Sequence, residues 1–196
     1  MKERLVFLSI MGRMLWSLLM FLMMSYVNGR RNDYHVAVSK NSVLRAERTF
    51  EKNPNGIDEI DDRTGQTPLM YSVLSGQTDL VRFFLEKGAD VTIPEKDGYT
   101  PVHGAGFQGR AEIMQILIDH GLDPSDRHGD GFTPLHRACW GREDRHTETV
   151  RVLLDAGVPV DQSDKNGRTC SSMTKNQNTL DLIKMYPHHH DSDGDL

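Results

Sequence analysis

Short apolar stripes at helical spacing recur along the middle of this 196-residue chain, separated by polar segments that contain glycine. Residues that recur at intervals of three and four lie on one face of an α-helix, so each stripe predicts an amphipathic helix. A glycine follows each stripe, at Gly88, Gly121 and Gly157, where its tolerance of left-handed backbone suits a helix end. The stripes are Leu80, Val81, Phe84 and Leu85; Ile113, Met114, Ile116 and Leu117; and Val150, Val152, Leu153 and Leu154.

A four-residue signature precedes each stripe, and its three copies are 33 residues apart. A fixed period of about 20–50 residues is typical of stacked-repeat proteins. Threonine caps a helix N-terminus with its hydroxyl, and proline suits the first helical position because no amide hydrogen is needed there. Each unit is therefore predicted to contain a short helix, a turn, a longer helix and a polar arm. The copies are Thr67-Pro68-Leu69-Met70, Thr100-Pro101-Val102-His103 and Thr133-Pro134-Leu135-His136.

With this signature and period the units resemble ankyrin repeats, and the best match is Gly131-Phe132-Thr133-Pro134-Leu135-His136-Arg137-Ala138. The resemblance covers roughly residues 41–186. It implies an all-α solenoid in which paired helices stack and the polar arms form β-hairpin-like fingers. It also implies that the motif residues, including both histidines, are structural. These residues are Thr67, Pro68, Thr100, Pro101, His103, Thr133, Pro134 and His136.

The resemblance also divides the chain into segments. Terminal units of a solenoid are atypical because one of their faces meets water, so the divergent segments at each end of the repeats are predicted to be caps. The ankyrin-repeat domain is expected at 30–187, with full repeats at about 64–96, 97–129 and 130–165 and with caps at 41–63 and 166–187.

Two departures from the repeat pattern carry expectations of their own. Met70 replaces the motif histidine in the first full repeat, so the hydrogen bond that this histidine makes should be absent there. The third repeat is three residues longer than the others, and the extra residues fall in the charged segment 141–147 between its helices. We expect a solvated loop at this insertion, and a specificity element is the alternative.

The first 29 residues have the parts of a secretory signal peptide. A basic start is followed by the apolar run 14–27 and by a small-residue exit at Gly29. The run is short for a bilayer span, because 14 helical residues cover about 21 Å of roughly 30 Å of hydrocarbon. A cleaved signal is the preferred interpretation, which predicts a secreted or lumenal protein. The alternative is an anchor that holds residues 14–27 in a membrane.

Cys139 and Cys170 are the only cysteines, too few for a disulfide framework. Neighbouring repeats stack at a helix-packing distance of roughly 8–10 Å, whereas a disulfide needs Cα atoms within about 7 Å. The sequence therefore predicts no disulfide. The tail at 188–196 is rich in histidine and aspartate, and we expect it to be disordered rather than to hold a metal.

A partner is expected on the concave side of the stack, at finger tips and exposed positions of the first helices. Tyr99, Phe107, Phe132 and Trp140 would share one face of adjacent units, where aromatic side chains make good interface anchors. The competing interpretation is that some of these rings only pack between neighbouring units. The full set of predicted contact residues is Gln66, Leu74, Lys96, Tyr99, Phe107, Gln108, His128, Phe132, Trp140, Lys165 and Arg168.

Other function classes find less support. A net charge of −5 with scattered basic residues argues against nucleic acid as a partner. No nucleophile and base are paired by a recognised motif, and there is no phosphate-binding or dinucleotide fingerprint, so we expect no catalytic residue, no metal and no cofactor. The sequence predicts a monomeric, non-catalytic module that binds a protein. The alternatives are a membrane-tethered intracellular adaptor and a small metal-dependent enzyme.

Overall fold

The computed structural model describes residues 32–186, and the fold over this range is all-helical, as predicted. Helices come in five consecutive pairs, each with a first helix followed after a few residues by a second one. The pairs are α1 (Asp33–Ser39) and α2 (Val43–Lys52), α3 (Pro68–Ser75) and α4 (Thr78–Glu86), α5 (Pro101–Gln108) and α6 (Ala111–Asp119), α7 (Pro134–Cys139) and α8 (Asp144–Asp155), and α9 (Cys170–Met173) and α10 (Gln177–Ile183), with a 3-10 helix at Pro54–Gly56.

The pairs stack side by side in chain order. Each first helix contacts the first helix of the next pair, and each second helix contacts the next second helix. The core lies between them and is built from the apolar stripes, with Leu80, Phe84, Met114, Leu117 and Leu153 fully buried. Each pair thus buries its apolar face against its neighbours, which is how repeats too small to fold alone become stable.

The N-terminal cap begins earlier than the sequence predicted. Helix α1 starts after Asn32, whose side chain accepts a hydrogen bond from the Tyr34 amide at 2.8 Å. His35 Nε2 donates to the main-chain carbonyl of Gln66 at 2.8 Å, in the way the motif histidines bind the next finger. The cap is therefore a complete helix pair, although nothing in its sequence matches the Thr-Pro signature.

The polar arms form fingers whose turns close with the same main-chain hydrogen bond. The amide of Glu95 donates to the carbonyl of Tyr99 at 3.0 Å, and His128 binds Phe132 at 2.9 Å in the next finger. Gly98 and Gly131 take positive φ angles of 89° and 90° within these turns, a conformation that favours glycine. The fingers are hairpin-like as expected, and within the described range they contain one isolated antiparallel bridge, between Ser163 and Thr169.

The three extra residues of the third repeat extend a helix. Helix α8 has 12 residues, against 9 in α4 and 9 in α6. Residues 142–145 are exposed, but His146 and Thr147 are buried, so the prediction of a solvated loop is wrong for these two. Asp144 starts the helix one turn earlier, and the hydroxyl of Thr147 contacts that of Thr179 at 2.8 Å in the last pair.

Side chains near the start of the second helices donate hydrogen bonds to main-chain carbonyls near the C-terminal end of the first helix in the preceding pair. The last carbonyls of a helix have no partner within it. Gln77 donates to Val38 O at 2.9 Å, Arg110 to Leu74 O at 3.3 Å, and His146 Nε2 to Phe107 O at 3.2 Å. Each of these bonds joins one pair to the pair before it.

The prediction that Cys139 and Cys170 do not pair is wrong. They form a disulfide between α7 and α9, with their Cα atoms 5.4 Å apart and both residues fully buried. The distance between helix axes is a poor guide here, because Cα atoms lie about 2.3 Å from each axis and those of facing residues lie several ångströms closer together than the axes.

None of the helices within residues 32–186 is both long enough and apolar enough to span a bilayer. The predicted signal or anchor at 1–29 and the predicted tail at 188–196 lie outside the described residues.

Candidate protein-interaction face

The first helices and the fingers together present a face on which the repeats place equivalent residues in rows. One row stands seven residues after each motif threonine, and it consists of Leu74, Phe107 and Trp140. Leu74 is half-buried, whereas Phe107 is 53% exposed and Trp140 is 43% exposed. Two large aromatic side chains on consecutive first helices are therefore accessible to a partner.

A second row immediately precedes the motif threonines, and there the expectation of exposure fails at one position. Phe132 is only 7% exposed. The guanidinium groups of Arg137 and Arg168 lie over its ring, 4.7 Å and 5.0 Å from the centroid, and the Trp140 ring is 4.9 Å away. Phe132 thus lies beneath the two arginines and beside Trp140, and little of its surface is accessible to a partner.

Arg137, which was not among the predicted contact residues, makes most of the contacts in this part of the face. Its guanidinium carbon lies 4.4 Å from the Tyr99 ring centroid and 4.8 Å from that of Trp140, in addition to its contact with Phe132. The same guanidinium donates to the Asp130 carboxylate and to the Tyr99 hydroxyl. Although it carries a charge, the residue is only 7% exposed. We call this arrangement of Tyr99, Phe132 and Trp140 around Arg137 the arginine cage.

Asp130 supplies the counter-charge of the cage. Its carboxylate accepts the Phe132 amide at 3.0 Å and the Tyr99 hydroxyl at 3.0 Å, and it contacts His128 at 2.8 Å. Burial acts to raise the pKa of this carboxyl group, but these donors and Arg137 hold it well below its usual range. Asp130 is therefore ionised at neutral pH and compensates the charge of Arg137.

The motif histidines use both ring nitrogens to join their own repeat to the next. His103 Nε2 donates to Phe132 O at 3.3 Å, and its Nδ1 lies 2.9 Å from the Thr100 hydroxyl. His136 makes the same two contacts, with Arg168 O at 3.1 Å and Thr133 Oγ1 at 2.8 Å. Burial lowers the pKa of both rings, although nearby carboxylates act in the opposite direction. Both nitrogens of each neutral ring are already in contact with groups of the chain, so neither histidine is placed to act as a general base.

A cleft opens beside the arginine cage, between helices α3 and α5 and the finger whose turn is closed by Glu95 and Tyr99. It has a volume of about 300 Å³. Four of the predicted contact residues, Leu74, Tyr99, Phe107 and Gln108, line it together with Arg137, which the prediction missed. Burial first, and then the charge of Asp97, raise the pKa of Glu95 at its wall. The remaining lining residues are Met70, Asp97, His103 and Gly104.

The repeat units also match known sequence families. A family model described as "Ankyrin repeats (many copies)" matches residues 55–105, and one described as "Ankyrin repeats (3 copies)" matches residues 93–166. The chain belongs to the ankyrin-repeat family. Ankyrin repeats are generally protein–protein interaction modules and are typically non-catalytic. No curated protein matches the chain.

Other predicted contact residues of the ankyrin stack lie in finger turns, and several bind the chain itself. His128 Nε2 donates to Asp97 O at 3.0 Å, Lys165 donates to Gly129 O, and Arg168 forms an ion pair with Asp164 at 2.7 Å. Lys96 is exposed, and Gln66 is half-buried with its carbonyl bound by His35. These residues form a polar border outside the cleft.

The described part of the ankyrin domain contains no cluster of side chains that could bind a metal ion. Between residues 32 and 186 no three histidine, cysteine, aspartate or glutamate side chains lie close enough together to hold a metal ion. The closest approach to a catalytic arrangement is Thr100, His103 and Asp126, where the threonine hydroxyl donates to the carboxylate at 2.8 Å. His103 is 2% exposed and its Nε2 is bound to a carbonyl, so this trio stabilises the repeat.

Proposed function

We propose that this ankyrin-repeat chain is a non-catalytic module that binds a protein partner on the concave face formed by its first helices and fingers. The observation that carries the proposal is the exposure of Phe107 and Trp140 on consecutive first helices. Large exposed apolar side chains that are contiguous and bordered by polar groups mark interaction sites. Aromatic rings are favoured there because they bury much area while few rotatable bonds are frozen.

The support beneath these two rings strengthens the proposal. Trp140 rests on Phe132 and Arg137, and the carbonyl of Phe107 accepts a hydrogen bond from His146 of the following helix. Side chains and backbone held in this way lose little freedom on binding, which lowers the entropic cost of association.

We also propose that the protein works in the secretory pathway. Two independent features support this location: the basic start and apolar run within residues 1–29, and the Cys139–Cys170 disulfide. Disulfides persist in oxidising compartments and are rare in the cytosol. Mass spectrometry of the protein from its own cells, without reduction, tests both features. A mature chain that starts near Arg30 and carries the disulfide is expected. An intact N-terminus with two free thiols would instead favour the tethered intracellular adaptor.

Binding is tested by proximity labelling in those cells with a double variant, Phe107→Ala and Trp140→Ala. The partner should be lost, while the helical circular dichroism is kept because both rings are exposed. The matched control is Leu44→Ala with Met185→Ala, which removes two side chains that are 56% and 77% exposed in the terminal caps. Equal labelling by the wild type and the Phe107/Trp140 variant would contradict the proposed face.

A further inference from the structure

The repeat register relates the cleft of the second repeat to the arginine cage of the third. A shift of 33 residues places Gly104 at the position of Arg137 and Asp97 at the position of Asp130. The same shift places Tyr99 where Phe132 stands and Phe107 where Trp140 stands. The second repeat therefore contains two of the aromatic rings and the carboxylate of an arginine cage, but a glycine stands in place of the arginine.

The space that the missing side chain leaves is open. Gly104, Tyr99, Phe107 and Asp97 all line the cleft of about 300 Å³, which is at the lower end of about 300–1,000 Å³ for ligand pockets. A volume of this size suits one long side chain. In the first repeat the equivalent position is occupied by Tyr71, so the gap is particular to the second repeat.

The charges that border the space are unbalanced. Within residues 32–186 neither Asp97 nor Glu95 forms an ion pair, whereas Asp130 is paired with Arg137. Arg137 also lines the cleft, but Asp130 already compensates its charge. The cleft thus combines aromatic walls with two carboxylates that no cation of the described residues pairs.

We propose that this cleft binds the guanidinium group of an arginine from a protein partner, which takes the place that Arg137 occupies in the third repeat. The inference rests on the proposed binding function and names the chemistry of one contact. Arginine fits better than lysine because its planar group stacks on aromatic rings while it donates in a fork to carboxylates. Lysine has a compact, strongly hydrated charge and gains less from the rings.

The test uses the ¹⁵N-labelled full chain and three capped peptides: acetyl-Gly-Arg-Gly-amide, its lysine counterpart, and its citrulline counterpart, a neutral analogue of the arginine peptide. The arginine peptide is expected to shift the amide resonances of residues 97–108. The citrulline peptide should give no saturable shift, and the lysine peptide should bind at least about threefold more weakly. Asp97→Asn and Phe107→Ala should each weaken the arginine peptide by about threefold or more.

The decisive variant is Gly104→Arg, which places an arginine of the chain itself in the cleft of the second repeat. The heavy atoms nearest to a Cβ at this position belong to the flexible ends of Met70 and Leu74, at 3.1 Å and 3.2 Å, so the variant is expected to fold. It should abolish the shifts from the arginine peptide, whereas Gly104→Ala, which adds only a methyl group, should retain them. Circular dichroism confirms that both variants are folded.

Four results would each overturn the arginine site. Two concern the arginine peptide and the wild type: no saturable shift, or shifts centred outside residues 97–108. The other two are equal binding of the lysine or citrulline peptide, and binding of the arginine peptide that survives in Gly104→Arg. These failures are distinguishable from failure of the proposed function. If the Phe107/Trp140 variant still loses its partner while the arginine peptide does not bind, the face is an interface that recognises other chemistry.

Discussion

The second and third repeats share a backbone plan, and they differ in what fills the space beside their first helices. In the third repeat Arg137 occupies that space, held by three aromatic rings and Asp130. In the second repeat Gly104 leaves it open as a cleft. In the third repeat the rings and the carboxylate thus bind an arginine of the chain itself, whereas the equivalent groups of the second repeat have no arginine between them. The comparison shows how a single position can change a stabilising contact into a surface that is available to a partner.

The two repeats also differ at the point where their first helices approach the next. Gly106 of the second repeat stands at the register position of Cys139. A Cβ on Gly106 would lie 2.6 Å from the main-chain oxygen of Pro134, so the absence of a side chain permits the close approach. At the following junction Cys139 fills this position, and the close approach is used for a covalent bond with Cys170.

The largest expected effect comes from breaking that covalent bond. Cys170→Ala should lower the free energy of unfolding by about 2–4 kcal/mol, because the disulfide closes a loop with a sequence separation of 31 and restricts the unfolded chain. Urea denaturation followed by circular dichroism measures the loss. With reductant present, the difference from the wild type should largely disappear. A wild type that is equally stable with and without reductant would show that the bond adds nothing to the third repeat.

Emptying the arginine cage should have the next largest effect. Arg137→Ala is expected to destabilise the domain by about 2–3 kcal/mol, since Asp130 and the Tyr99 hydroxyl lose a donor and three rings lose a cation. The matched control is Arg151→Ala, whose exposed ion pair with Glu148 should contribute only about 0–0.5 kcal/mol. Denaturation curves of the two variants provide the comparison. Similar losses would mean that the cage is no more stabilising than a surface pair.

A smaller difference is expected between two glycines of the same helix. Gly104→Ala and Gly106→Ala gain the same helix propensity, about 1 kcal/mol. The methyl group at 104 meets flexible side-chain ends, whereas that at 106 meets backbone. Gly106→Ala should therefore be less stable than Gly104→Ala by about 1–2 kcal/mol. Thermal unfolding of the pair measures this, and equal melting temperatures would argue against a tight junction at Gly106.

The smallest expected effect is a pH dependence at Asp130. Its pKa is depressed in the folded state by its donors and Arg137, despite burial. Such a carboxylate contributes stability above its unfolded pKa of about 3.9, and this contribution is lost as pH falls through the depressed folded value. The wild type should therefore lose more stability than Asp130→Asn between about pH 5 and pH 2. Parallel pH profiles for the two proteins would exclude this contribution.

The pattern of the sequence anticipated the helix pairs because their signals are local. Thr67 caps α3 by accepting the Met70 amide at 3.1 Å, and Gly76 ends that helix with a φ of 72°. The first helix of the N-terminal cap, α1, was not predicted, since it is capped by Asn32 and lacks the Thr-Pro signature. An Asn N-cap three residues before His35 was the available signal. The loop predicted at the insertion is wrong for His146 and Thr147, because a charged segment can extend a helix as readily as it forms a loop.

The candidate face was only partly predictable. Phe107 and Trp140 are exposed as expected, but Phe132 is covered by arginines from its own and the following repeat. The pattern within one repeat does not show which ring will be covered, because one of the two covering arginines, Arg168, comes from the following repeat. Comparison of equivalent positions across repeats, where Tyr71, Gly104 and Arg137 follow one another, was the signal that pointed to this row.

By itself, the sequence determined the 33-residue period, the helical class, the stops at glycine and the structural role of the motif threonines. These depend on backbone propensity, capping and apolar spacing, which act within a turn or two of helix. Only the tertiary structure decided that Cys139 reaches Cys170, that Arg137 fills its cage and that Gly104 leaves a cleft. Those outcomes depend on distances between side chains some 30 residues apart, which are set when the repeats pack against each other.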